Sequence, residues 1–205
     1  EVDTSGGTPS INWSDFSAIP GNFWFFSELA IYDFIPGSLY AAFWRTEGAV
    51  DGGIYVYQTS NGASQKLTTD SDIDGKPISA FIALSSDVMF AAVGAFSDNP
   101  SAELRGIFKS TDGGQNWDKV SDPALTSKVY IQDFEYDSVN DVLYAAAAQE
   151  GGQAGAGGNV YYLEEPKGSS GEWSTPSSGF PDENGQDVYA PNFSALTVDP
   201  TTGNV

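Results

Sequence analysis

One phrase of strand and turn recurs along this 205-residue chain, and it restricts the possible folds more than any other feature. It opens as a strand, an Asp-containing turn and a second strand. One copy is Leu29-Ala30-Ile31-Tyr32-Asp33 followed by Gly37-Ser38-Leu39-Tyr40-Ala41-Ala42. Another is Phe134-Glu135-Tyr136-Asp137 followed by Asp141-Val142-Leu143-Tyr144-Ala145-Ala146. A third is Leu196-Thr197-Val198-Asp199 followed by Gly203-Asn204-Val205, and a shorter-turned copy is Phe81-Ile82-Ala83-Leu84 followed by Asp87-Val88-Met89-Phe90-Ala91-Ala92. Aligned on Leu39, Met89, Leu143 and Val205, the copies advance by 50, 54 and 62 residues. A third strand follows at Ile54, Ile107 and Val160, spaced 53 and 53 residues apart. A fourth follows at Gln65-Lys66-Leu67, Trp117-Asp118-Lys119-Val120 and Glu172-Trp173-Ser174. Short apolar runs bounded by Gly, Pro, Asn, Asp and Ser read as strands and turns. A unit of four short strands cannot bury its own faces, so neighbouring units must stack.

Four strands per repeat of this length is the arithmetic of a β-propeller blade. Between the third and fourth strands of the middle repeat stands Ser110-Thr111-Asp112-Gly113-Gly114-Gln115-Asn116-Trp117, which reads S-x-D-x-G-x-x-W. Asp112 can accept hydrogen bonds from amides of its own turn, and the two glycines allow positive φ. Ser110 can add a second local bond, and Trp117 brings a large apolar face to the return strand. With Ser110, Asp112, Gly114 and Trp117 all in register, the stretch resembles the Asp-box (BNR repeat) of sialidase-, sortilin- and xyloglucanase-type β-propellers. Asn116 stands where that family usually has Thr. An ordinary Asp-Gly-Gly hairpin would need only Asp112, Gly113 and Gly114. The first repeat has only Ser60-Asn61-Gly62 at this place, and the third has the longer Pro166-Lys167-Gly168-Ser169-Ser170-Gly171.

The expected fold is all-β, built from four-stranded antiparallel blades. Residues 1–25 are expected to carry the last strand of a preceding or closing blade, around Trp13. Residues 26–77, 78–129 and 130–192 are expected to be three blades, and 193–205 the start of a further one. Because both ends read as partial blades, the chain is expected to be part of a larger propeller or to complete itself with another chain; a four-blade ring closed by its own ends is the alternative. Unpaired edges would invite association. Small pairs at Ala41-Ala42, Ala91-Ala92 and Ala145-Ala146 are expected to let strands crowd toward an axis. Inserts at 45–52, 97–105 and 149–158 should lie on one face, where binding loops usually sit.

The chain carries 28 acidic and 8 basic residues, for a net charge of −20. Phosphate backbones and anionic lipid surfaces would be repelled, so neither nucleic acid nor membrane insertion is expected. The carboxylates are scattered, which suits solubility in salt, a solvated surface or capture of hard cations. There is no cysteine and no histidine. Disulfides, thiolate metal sites and Ser-His-Asp or Cys-His catalysis are therefore excluded. The chain opens on Glu1 with no basic-then-apolar leader, as a mature or trimmed secreted chain would.

Two candidate binding sites stand out. Asp70-Ser71-Asp72-Ile73-Asp74-Gly75 reads D-x-D-x-D-G, in which Asp70, Asp72 and Asp74 can converge on Ca²⁺. The acid that would close such a loop is missing, since Ile78 and Phe81 occupy the two positions where one is needed, and a solvated acidic turn is the alternative. Trp24, within Phe23-Trp24-Phe25-Phe26, and Trp44 can form a stacking platform for glycans or can simply be core. The family resemblance also allows a glycoside hydrolase. Sialidases clamp substrate with three arginines, however, and only Arg45 and Arg105 are present here. The xyloglucan-cleaving relatives use paired carboxylates across a cleft between two propellers, and no such pair can be picked out among so many acids. The expected function is therefore an extracellular or cell-surface, non-catalytic module with a structural, self-assembling, glycan-binding or protein-binding role. A portion of a secreted sialidase-like or xyloglucanase-like enzyme is the alternative.

Overall fold

A computed structural model of the chain describes residues 2–3, 10–11, 23–46, 52–94, 106–120, 129–149, 160–168, 172–174, 180–181, 187–188, 195–199 and 201–202. β1 (Val2–Asp3) and β2 (Ser10–Ile11) pair antiparallel, Val2 opposite Ile11. Sheet one is formed by β3 (Phe23–Ile31), β4 (Ser38–Thr46), β5 (Gly53–Gln58) and β6 (Ser64–Lys66). Sheet two is formed by β7 (Ile78–Ala83), β8 (Met89–Val93), β9 (Gly106–Ser110) and β10 (Asp118–Lys119). Sheet three contains β11 (Val129–Asp137), β12 (Val142–Gln149) and β13 (Val160–Glu164). A last short pair is β14 (Phe180–Pro181) with β15 (Asp187–Val188). Within each of the three larger sheets the strands lie in chain order and every neighbouring pair is antiparallel, so the fold is all-β and built from blade-like meanders.

Among the described residues, the fourth strand of sheet three is one bridge. Tyr162 and Ser174 exchange both backbone hydrogen bonds, each 2.9 Å. The Asp-box that organises the matching connection in sheet two is missing there. The expected strand at residues 11–16 is described only at Ile11. The inserts at 97–105 and 150–158 lie outside the described residues, as does most of 45–52.

Alternation along the strands sends successive side chains to opposite faces, and sheet two, between the other two, buries both. Tyr40, Ala42, Ile54 and Val56 of sheet one pack against Phe81, Met89, Ala91 and Phe108 of sheet two, together with Trp117. On the far side of sheet two, Ala80, Phe90, Ala92 and Ile107 pack against Phe134, Leu143, Ala145 and Tyr161 of sheet three, together with Trp173. All five residues of β8 are buried, which is why Met89-Phe90-Ala91-Ala92-Val93 reads as an unbroken apolar run. The alanine pairs split between faces, Ala91 toward sheet one and Ala92 toward sheet three. Small side chains there leave room for the aromatic rings. Tyr40 stacks on Phe81 with ring centroids 5.7 Å apart, and Phe90 meets Trp173 edge-on at 6.5 Å. Each fully buried large side chain stabilises the stack by roughly 1.5–3 kcal/mol.

The sheets approach one another most closely at their first strands, with β7 touching both β3 and β11. All three first strands carry an irregularity at the same place in the repeat. The register shifts between Phe26 and Glu28, between Ile78 and Ala80, and between Ile131 and Asp133. A bulge bends and twists a strand, and here it re-aims the residue that follows it. The hairpin after each first strand is also patterned. Asp137 accepts from the amides of Val139 at 2.8 Å and Asn140 at 3.1 Å. The last turn residue takes the left-handed conformation, at Gly37 (φ 77) and Asp141 (φ 56).

Candidate functional site

The Asp-box turn is the most fully wired segment among the described residues. The Ser110 hydroxyl donates to Asp112 Oδ1 at 2.9 Å, while Ser110 Oγ accepts from the Gly114 amide at 2.9 Å. Asp112 Oδ1 also accepts from the amides of Gln115 (3.0 Å) and Asn116 (2.9 Å). Asn116 Nδ2 donates to Asp112 Oδ2 at 2.6 Å, so the Asn116 side chain and backbone serve the same carboxylate. The side-chain and backbone bonds from Asn116 hold the Asp112 carboxyl below its ordinary range. Gly113 and Gly114 have φ of 74° and 90°.

The turn also ties two sheets together. Trp117 Nε1 donates to the Gly114 carbonyl at 3.0 Å, and its ring is buried against sheet one. The Trp117 amide donates to Asp70 Oδ2 at 3.3 Å. Gly114 lies on Leu67 so closely that an added Cβ would stand 3.2 Å from the Leu67 Cβ. Ser110, Asp112, Gly114 and Trp117 are thus brought together. An open, mainly polar cleft of about 610 Å³ runs beside them, lined by Gln65 and Lys66 of sheet one, by Thr69 just after it and by Gln115 and Asn116 of the box.

The three aspartates of the D-x-D-x-D-G turn are not brought together in the same way. Asp70 accepts from the Asp72 amide at 3.0 Å as well as from Trp117. Asp74 pairs with Lys66 at 2.7 Å, and the Asp72 side chain is exposed. Lys66 and the Trp117 amide thus each engage an oxygen of one of these aspartates. Among the described residues no group of three or more carboxylates is arranged to hold a metal ion. Trp44 is half-buried at the end of β4; the side chain of Trp24 lies outside what is described.

Sequence reasoning passed over a second constellation. Glu28 on β3 and Asp133 on β11 each follow the recurrent bulge, and Glu135 lies two residues beyond Asp133. Burial, reinforced by the nearby charges of Asp133 and Glu135, pushes the Glu28 carboxyl up to about 7. Burial also raises Asp133 and Glu135. The Leu196 amide donates to Asp133 Oδ2 at 2.6 Å and the Val198 amide bonds to Glu135, so these two carboxylates hold the segment at 195–199. That segment, expected to open a new blade, forms no ladder within the described residues. The available signal was acids at alternate positions of an otherwise apolar strand, with Ala80 at the matching place in sheet two.

A pH dependence follows. A carboxyl whose pKa is raised on folding favours the folded state below its unfolded value, and that contribution is lost as pH rises through the folded value. Thermal stability should therefore fall between pH 5 and 8, as Glu28 ionises beside Asp133 and Glu135. Glu28→Gln should flatten that fall and stabilise the protein at pH 8 by about 1 kcal/mol, allowing for solvent screening of a half-exposed group. Glu164→Gln, which removes one exposed charge, is the control. Equal gains from both variants in thermal melts would make the effect one of net charge alone.

No protein-family model and no curated protein sequence matches the chain. Among solved structures, the crystal structure of the Niastella koreensis GH74 enzyme is similar with a TM-score of 0.48 and 20% sequence identity, over 72% of this chain. The match spans 20% of the length of that enzyme.

Proposed function

We propose that this chain is a non-catalytic, extracellular β-propeller module that works as a structural and binding element. The observation that carries this reading is the Asp-box, where every polar group of the motif is spent on the turn and on the contact with sheet one. Asp112 is saturated by Ser110, Gln115 and Asn116, and the Trp117 indole is turned inward onto Gly114. A catalytic carboxylate needs a free oxygen aimed at substrate. The polar cleft beside the box is the natural place for a glycan or peptide to rest, since amide and hydroxyl groups there can meet sugar hydroxyls. The strongly acidic surface fits a protein kept soluble outside the cell.

A glycoside hydrolase is the second reading, and Glu28 favours it. A carboxyl raised to about 7 beside another carboxylate is the pattern of a general acid paired with a base. Assays against sialosides and β-glucans separate the two readings. The non-catalytic module is expected to give no turnover with either, and hydrolysis that disappears in Glu28→Gln would establish the enzyme in its place.

A further inference from the structure

We propose that the cleft between the Asp-box and β6 binds a neutral, polyhydroxylated ligand of the oligosaccharide class; the proposal rests on the module reading and narrows its glycan or peptide to the first. The cleft lies between two sheets that are both present, so the repeat calls for no further sheet there. Its walls are held at a fixed spacing. The Trp117 amide bonds to Asp70, the Trp117 indole to the Gly114 carbonyl, and Gly114 rests on Leu67. Walls that are fixed before a ligand arrives reduce the entropy lost on binding.

The lining groups define the ligand. Gln115 Nε2 donates to the Asp112 carbonyl at 2.9 Å, and Asn116 Nδ2 donates to the Asp112 carboxylate. Each amide spends one N–H on the turn and keeps its carbonyl oxygen and second N–H for a ligand. Across the cleft stand the Gln65 amide and the Thr69 hydroxyl, both on exposed residues. Each of these side chains offers a donor and an acceptor together, as a sugar hydroxyl does. A volume of about 610 Å³ lies within the roughly 300–1,000 Å³ of small-ligand sites and suits a short oligosaccharide.

Other ligand classes find no partner here. Among the described lining residues there is no carboxylate, although the chain carries 28 acids, so a cationic peptide meets no counter-charge. A second cleft, at the outer edge of sheet three, is by contrast lined by Glu164, Glu165 and Glu172. Lys66 is held by Asp74 at 2.7 Å, and the net charge of −20 repels anions. Leu67 is buried under Gly114, which leaves no apolar pocket for a peptide side chain. The described lining also holds no aromatic ring for a sugar to stack on, so binding rests on hydrogen bonds and is weak, with dissociation at about 0.1–1 mM.

Titration of the ¹⁵N-labelled protein, followed through the side-chain amide resonances of Gln65, Gln115 and Asn116, tests this. The neutral probes are cellotetraose, maltotetraose, mannotetraose and chitotetraose; tetragalacturonate and tetralysine are the charged ones. At least one neutral tetrasaccharide is expected to shift these resonances saturably, and both charged probes to leave them in place. The double variant Gln65→Ala with Gln115→Ala should weaken that binding by roughly 10-fold, from the loss of two hydrogen-bonding groups. Glu164→Gln, in the acidic cleft, should bind like wild type. Circular dichroism confirms that both variants are folded. No response to any neutral tetrasaccharide, a stronger response to a charged probe, or an equal loss in Glu164→Gln and the double variant would each overturn the proposal. Absence of both binding and hydrolysis would remove this site and leave the non-catalytic module standing; hydrolysis alongside binding in this cleft would do the reverse.

Discussion

Trp117→Ala is expected to lower stability by about 3–5 kcal/mol, the range for removing a fully buried large aromatic. Trp117 is 2% exposed, and it fills the gap between sheets one and two beside Leu67, Ile73 and Phe108. At roughly 2–4 °C per kcal/mol for a chain of this size, the melting temperature should drop by about 6–20 °C. Against a typical total stability of about 5–15 kcal/mol, that loss alone approaches unfolding. A finer comparison isolates the indole N–H. Trp117→Phe keeps most of the ring but strands the Gly114 carbonyl, whereas Trp173 Nε1 is buried with no partner among the described residues. An unsatisfied buried donor is costly to keep. Trp173→Phe should therefore be the milder change of the two in chemical denaturation. The reverse order would mean that the Trp117 bond contributes nothing to the lock.

Asp112→Ala should cost about 2–3 kcal/mol. The carboxylate collects bonds from Ser110, Gln115 and twice from Asn116, and charge-assisted bonds are the stronger kind. The turn is partly solvated, so water can replace some of them, which keeps the cost below that of Trp117→Ala. Asp112→Asn should fall between wild type and Asp112→Ala, because an amide keeps an acceptor oxygen but loses the charge. Since the same turn places Trp117, the double variant Asp112→Ala with Trp117→Ala should lose less than the sum of the two single losses. Full additivity in denaturant melts would show that the turn and the tryptophan act independently.

Much of the architecture could be read from local pattern. Strand positions follow from alternation and turn chemistry, and both are short-range. The spacing of Ile54, Ile107 and Val160 therefore located the third strands, and the alanine pairs lay on buried second strands as their composition suggested. The recurrent bulge in the first strands was not legible. Ser27, Ser79 and Gln132 are small or polar residues with no bulge signature of their own, and a bulge is a property of pairing between two strands rather than of one. The fourth strand of sheet three was over-read. Glu172-Trp173-Ser174 has the composition of its counterparts, but of these three residues only Ser174 pairs, with Tyr162.

The candidate sites divide along the same line. Ser110, Asp112, Gly114 and Trp117 form one turn because their bonds span no more than four residues, a distance at which sequence nearly dictates contact. Asp70, Asp72 and Asp74 are as close in sequence, yet Lys66 and the Trp117 amide claim two of them, and neither claim is visible in the motif. Glu28 and Asp133 are over a hundred residues apart and influence each other only because first strands crowd at the centre of the stack. Periodicity and turn chemistry thus set the strands, the repeat and the Asp-box, since these are governed by neighbours along the chain. Folding in three dimensions decided which carboxylates are raised, which are neutralised, and that Leu29 and Ile31 face outward, because burial and charge proximity depend on which sheet lies over which.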